Sequence, residues 1–125
     1  MPKPAGLADT MSEDDLLEAV IQLARVLGWK TAHFRPARTE QGYRTAVQGD
    51  GKGFPDLVLV HPGRAELLVV ELKSETGRLT REQEAWLAGF ETVLGRWRVQ
   101  IWRPHDWIDG SIEKELRLTE FRLQP

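Results

Sequence analysis

Three charged residues, Asp56, Glu71 and Lys73, stand where the surrounding hydropathy leaves little room for charge. Asp56 opens the apolar run Leu57-Val-Leu-Val60, while Glu71 and Lys73 punctuate the end of Glu66-Leu-Leu-Val-Val-Glu-Leu72. Residues two apart in a strand share a face, so Glu71 and Lys73 project together. A hairpin through His61-Pro62-Gly63-Arg64 places Asp56 opposite Val69 if about two residues form the turn, and opposite Glu71 if about six do. The parity is the same in both cases, so Asp56 and Glu71 leave the same face at the same end of the hairpin. Only a one-residue slip would separate them, and burial on both faces makes such slips costly. Two carboxylates one strand spacing apart repel unless a proton or a cation joins them. All-oxygen ligation favours a hard divalent ion such as Mg²⁺ or Mn²⁺. Lys73 alongside is placed to orient a water or to stabilise charge on a phosphoryl oxygen. The spacing alone also admits a plainer alternative, with Asp56 a turn residue and Glu71 and Lys73 exposed charges at a strand end.

The elements that must hold these residues follow from local signals. Ser12, three acids and the apolar positions Leu17, Val20, Ile21, Ala24 and Leu27 predict a capped helix that stops at Gly28. Thr31 to Arg35 reads as a short strand. Residues 36–53, with Pro36, Gly42, Gly49, Gly51 and Gly53 among charges, read as a long loop. The two runs flanking the His61–Arg64 turn are apolar on both faces, which predicts central strands covered on both sides. Thr80 opens a second helix with apolar positions Trp86, Leu87, Phe90, Val93 and Leu94, ending at Gly95. Arg98 to Trp102 reads as a further strand, and the tail from Pro104 is ambiguous. The expected order is α-β-β-β-α-β, an α/β fold with a central mixed β-sheet flanked by helices. Neither an internal repeat nor a low-complexity tract interrupts it.

Composition narrows the chemistry. The 125 residues suit one domain, expected over 12–125 behind a flexible leader at 1–11. Hydrophobic residues make up 41% and charged residues 29%, which is ordinary for a globular chain. With no cysteine, disulfides, thiolate zinc sites and cysteine nucleophiles are excluded together. His33, His61 and His105 show no metal-ligand spacing. No apolar run reaches the roughly 18 residues of a membrane helix, and the N-terminus lacks the apolar core of a signal peptide, so a cytoplasmic protein is expected. The net charge of −2 argues against a nucleic-acid binder, but its distribution does not. Residues 25–52 carry Arg25, Lys30, Arg35, Arg38, Arg44 and Lys52 against Glu40 and Asp50, whereas residues 9–18 hold five acids and no base. That pattern suits a metal site beside a phosphate-binding surface, and equally a solvated mixture of charges. Arg35, Arg38, Arg44 and Lys52 are the candidate phosphate contacts. Gly49-Asp-Gly-Lys-Gly53 lacks the Gly-Lys-Ser/Thr of a P-loop, so no nucleotide cofactor is expected. It reads instead as backbone that can approach a metal or phosphates closely. Trp97, Trp102 and Trp107 read as core or dimer-interface residues.

Pro55-Asp56, followed after fourteen residues by Glu71-Leu72-Lys73, resembles the PD-(D/E)XK nuclease signature. Gly53-Phe-Pro-Asp-Leu57, Val70-Glu-Leu-Lys73, Gly77-Arg-Leu-Thr-Arg-Glu-Gln83 and Trp86 are similar to the VRR-NUC branch of that superfamily, over about Glu13 to Trp102. The resemblance implies a restriction-endonuclease-like fold and a Mg²⁺-dependent DNA endonuclease, with Mn²⁺ able to substitute. It implies that Asp56, Glu71 and the Leu72 carbonyl ligate the metal and that Lys73 assists the attacking water. Glu13, fifteen residues before Gly28, matches the family's first-helix acid, and its helical phase falls on the inward arc. Gln83 matches the second-helix glutamine, although Thr80-x-x-Gln83 is also a capping box. Stand-alone members resemble Holliday-junction resolvases, so a homodimer acting on branched DNA in a prokaryotic or phage-encoded setting is implied. A nicking or restriction-like enzyme on duplex DNA, or a non-catalytic nucleic-acid-binding module, is the alternative.

Overall fold

The computed structural model describes residues 6–34, 37–39, 42–44 and 49–117, with the side chains of 37–39 and 42–44 left out. A one-turn helix, α1 (Leu7–Thr10), stands within the stretch expected as leader. Helix α2 (Glu13–Val26) begins at Ser12, whose Oγ accepts from Asp15 N–H at 3.0 Å while Asp15 Oδ2 accepts from Ser12 N–H at 3.2 Å. Three acids in the first turn complement the positive end of the helix dipole. Leu16, Val20 and Ala24 form its buried stripe. Gly28 ends it at φ +93°, a region glycine occupies without strain.

Strands β1 (Lys30–His33), β4 (Leu57–His61), β5 (Glu66–Leu72) and β6 (Val99–Trp102) form one sheet in the order β1-β4-β5-β6. The first two pairings are antiparallel, and β5 pairs with β6 in parallel. A parallel pairing needs a long crossover, supplied here by α3 (Arg81–Leu94). The β4–β5 ladder runs from Leu57 opposite Val70 to His61 opposite Glu66, closed by a 3₁₀ turn at Pro62–Arg64.

The region from 36 to 53 is not all loop. Its described residues include β2 (Ala37–Thr39) and β3 (Gly42–Arg44), paired antiparallel as a separate small sheet. The tail from Pro104, left open by the sequence, folds as α4 (Pro104–Ile108) and α5 (Ser111–Arg117). Ile112 and Leu116 of α5 join Leu16, Val20 and Ala24 of α2 over one face of the sheet, where Leu57, Leu59, Leu68, Val70, Leu72 and Trp102 are buried. Each such leucine contributes about 2 kcal/mol by leaving water.

The second face is only partly closed, contrary to the expectation of cover on both sides. Val58 and Val60 of β4 are half-buried, whereas β5 is almost wholly buried. Only Leu87 of α3 is fully buried, and Val93, read as inward-facing, is 80% exposed. Among the described residues no helix is long and apolar enough to cross a membrane.

Candidate metal centre

The β4–β5 ladder ends with Leu57 opposite Val70, and Asp56 and Glu71 are the next residues outward on the two chains. Asp56 is held from three sides. Its carbonyl accepts from Phe34 N–H at 2.7 Å, its Oδ2 accepts from Leu72 N–H at 2.8 Å, and its chain leads straight into β4. Glu71, 1% exposed, is one of two buried charged residues of the described chain. Its Oε1 accepts from Gln83 Nε2 at 3.1 Å. Its Oε2 is buried with no hydrogen-bond partner among the described residues. Burial, followed by the negative charge of Asp56, pushes the Glu71 carboxyl up to about 8, while the Lys73 ammonium pulls it down. An anionic oxygen in that position is costly unless something positive meets it. The donor set is all oxygen and the acids stand on adjacent strands, so the pair fits a hard divalent cation.

Leu72 buries its side chain in the core on the opposite face, and its amide is the one that grips Asp56. Lys73 follows, and its N–H makes the last contact with β6 through the Trp102 carbonyl at 3.0 Å. Its half-buried side chain returns to the face of Glu71.

Gln83 makes two sets of contacts. Its backbone N–H donates to Thr80 Oγ1 at 3.1 Å and its Oε1 accepts from Thr80 N–H at 2.9 Å, closing the capping box of α3. Its amide nitrogen then reaches Glu71. The cap and the contact with Glu71 are made by the same side chain.

In the glycine-rich stretch before Asp56, one glycine is required by the packing of α3. Gly53 sits at φ +82°, and a Cβ there would lie 2.6 Å from the Glu82 backbone carbon and 2.7 Å from the Gln83 nitrogen. The close approach it permits is to the first turn of α3, which carries Gln83. Lys52 forms a solvent-exposed ion pair with Glu82 at 3.5 Å, and Trp86 Nε1 donates to the Asp50 carbonyl at 3.0 Å. Phe54 meets Phe34, Trp86 and Phe90 edge-on, with ring centroids 5.0 to 5.9 Å apart. Such contacts tie the approach to Asp56 to α3.

Other candidates are placed less closely. Glu13 is the first residue of α2 and is half-buried while Glu18 is exposed, in keeping with its phase. Among the described residues, however, no group of three acids, histidines or cysteines is gathered, so Glu13 is not brought together with Asp56 and Glu71. Arg35 lies outside the described residues. Arg38 and Arg44 lie in β2 and β3, and their side chains are likewise outside. Trp102 is in the core and Trp107 packs against it, while Trp97 is 37% exposed with the Arg98 guanidinium 4.7 Å from its ring centre. Arg103 gave no sequence signal, yet its Nη1 donates to the carbonyls of Ser74 and Gly77 at 2.7 Å each.

A four-stranded mixed sheet flanked by helices, with paired acids at one end of its central hairpin, is a restriction-endonuclease-like arrangement. Residues 11–101 match the model of the VRR-NUC domain, and the chain belongs to that family, a PD-(D/E)XK-like nuclease domain family. It therefore carries a nuclease domain, and DNA is the substrate that membership implies. No curated protein and no solved structure matches the chain.

Proposed function

We propose that this chain is a Mg²⁺-dependent DNA endonuclease, with Mn²⁺ able to substitute, and that it selects branched DNA. The observation that carries the metal is Glu71 Oε2, buried without a donor to meet it, in a carboxyl that the neighbouring Asp56 raises. Asp56, Glu71 and the Leu72 carbonyl would hold the ion. When bound, a divalent ion lowers the pKa of its water and offsets charge that develops on the phosphate. The chain's own residues do the rest. Gln83 fixes the Glu71 carboxylate in one rotamer through Oε1 and leaves Oε2 for the cation. The Leu72 amide does the same for Asp56. Lys73 stands on the same face to orient the attacking water or to stabilise the phosphoryl oxygens. Glu13, which is not gathered with the pair, would anchor a second ion or the water shell.

Branched-DNA selectivity rests on the family resemblance. A homodimer is proposed with it, supported by an apolar groove of about 240 Å³ along α3 lined by Trp86, Gly89, Phe90, Val93 and Leu94. Linear, flapped and four-way DNA, incubated with the protein in Mg²⁺ and in EDTA, test the whole assignment. Preferential, EDTA-sensitive cutting of the four-way substrate is the expected result. Efficient cutting of linear duplex would favour the restriction-like alternative, and cutting in EDTA would end the metal assignment.

A further inference from the structure

Beyond Lys73 the chain leaves the sheet. Residues 74–77 belong to no helix or strand, and their only internal backbone bond runs from Gly77 N–H to the Ser74 carbonyl at 3.3 Å. Arg103 holds them in place. Its Nη1 donates to the Ser74 and Gly77 carbonyls at 2.7 Å each and lies 3.4 Å from the Glu75 carbonyl. Hydrogen bonds from a charged donor are the stronger kind, and one nitrogen here serves the whole loop. Arg103 is itself fixed, because it follows the buried Trp102 and its N–H donates to Asp106 Oδ2 at 2.8 Å. A second tie runs beside it, from His105 N–H to Glu75 Oε1 at 3.1 Å.

The loop so held borders the Lys73 side chain. A Cβ on Gly77 would lie 3.6 Å from Lys73 Cδ and 2.8 Å from Ser74 Oγ. The bare backbone of Gly77, the Ser74 hydroxyl and the lysine stem therefore share one small space. If the loop moves, the wall along that stem moves with it. A direct phosphate contact is a poor use of Arg103, since the nitrogen that faces the loop is already committed to carbonyls.

We propose that Arg103 is a positioning residue for Lys73, acting by clamping the Ser74 and Gly77 carbonyls to the junction of β6 and α4. This rests on the role given to Lys73 in the proposed reaction. All the contacts pass through a single nitrogen, so the planar fork that usually separates arginine from lysine is not used. An ammonium with three donors can replace it, whereas methionine keeps the stem and loses the donors.

The test measures Mg²⁺-dependent cleavage of the best-cut substrate by wild type, R103M, R103K, G77V, K73A and the double variant R103M/K73A. R103M lowers kcat by about tenfold or more and leaves KM within about threefold, as expected when a catalytic group is misplaced and substrate binding is not. R103K restores kcat to within about threefold of wild type. G77V, which pushes the same loop from its other side, reproduces R103M. In the K73A background R103M adds nothing further, because both changes remove the same contribution. Amide hydrogen exchange at residues 74–77 is faster in R103M than in R103K. R103M with wild-type kcat, R103K as slow as R103M, or a loss of the same size in the K73A background each overturns the proposal. Should R103M fail to fold, G77V and its combination with K73A decide by the same criteria. A slow K73A beside a normal R103M defeats the positioning role alone, whereas K73A at the wild-type rate brings down the role of Lys73 and this proposal together.

Discussion

The β4–β5 hairpin has two ends, and they treat buried polarity differently. At the turn end, His61 Nε2 faces the Leu27 carbonyl at 2.9 Å and so carries the ring proton. Its ring stands edge-on to Trp29 at 5.3 Å. Arg64 Nη1 and Trp29 Nε1 both donate to the Leu116 carbonyl, at 3.0 and 3.2 Å, in the last turn of α5. His61 Nδ1 is left without a partner among the described residues. At the open end the atom left over is a carboxyl oxygen with a second acid beside it. The turn end thus uses these groups to join helices to the sheet, and although it too buries a carboxyl, Glu66, it is Glu71 that a neighbouring acid raises. At the open end two acids stand together, and Glu71 keeps a proton there that a bound cation would replace.

The strongest way to break that contrast is Glu71→Gln. The amide keeps the shape and removes the charge, so Mg²⁺-dependent cleavage is expected to fall by about a thousandfold or more. The Tm should hold or rise, since a buried repulsion is relieved. A fall in Tm with cleavage intact would make the open end structural like the other.

A smaller effect sharpens the comparison through pH. The Glu71 carboxyl titrates at about 8 in the folded chain, above its ordinary 4.5. Between those values the folded state keeps a proton that the unfolded state has released, so metal-free stability falls as pH rises through this window and levels off beyond it. The change is on the order of a few kcal/mol at most. Mg²⁺ takes the place of that proton, so the rise in Tm it produces should be small near pH 5 and grow towards pH 8. Thermal melts in EDTA and in Mg²⁺ across this range check both trends, and E71Q should flatten them.

The smallest effect belongs to the turn end. Gly28 is at φ +93°, and a Cβ there would lie 2.8 Å from His61 Nε2. Gly28→Ala should cost about 1–3 kcal/mol in chemical denaturation while the folded fraction cleaves DNA at the wild-type rate. A lowered rate per folded molecule would mean that the two ends are coupled.

Much of this contrast could be read along the chain. The period-two alternation gave the face shared by Asp56, Glu71 and Lys73, and cap signals gave both long helices, because these depend on neighbours a few residues apart. What escaped notice depends on distant partners. Arg103 meets its loop across the sheet, and nothing near it in sequence marks it. Gly53 was visible as a special residue, but the α3 turn that demands it lies about thirty residues on. The exposure of Val93 was missed because the apolar stripe on α3 is wider than the surface it covers. Residues 37–39 and 42–44 are too short and too charged for alternation to reveal a hairpin.

The shared duty of Gln83 has a consequence for how this protein can change. The residue that starts the second long helix also grips the carboxylate on the central strand, so the point where that helix begins is set by the distance to the acid. Inserting or deleting a single residue between Lys73 and Thr80 would shift both at once. Length variation in this connection is therefore constrained by the site it spans, even though the connection itself lies outside the sheet and has no regular structure.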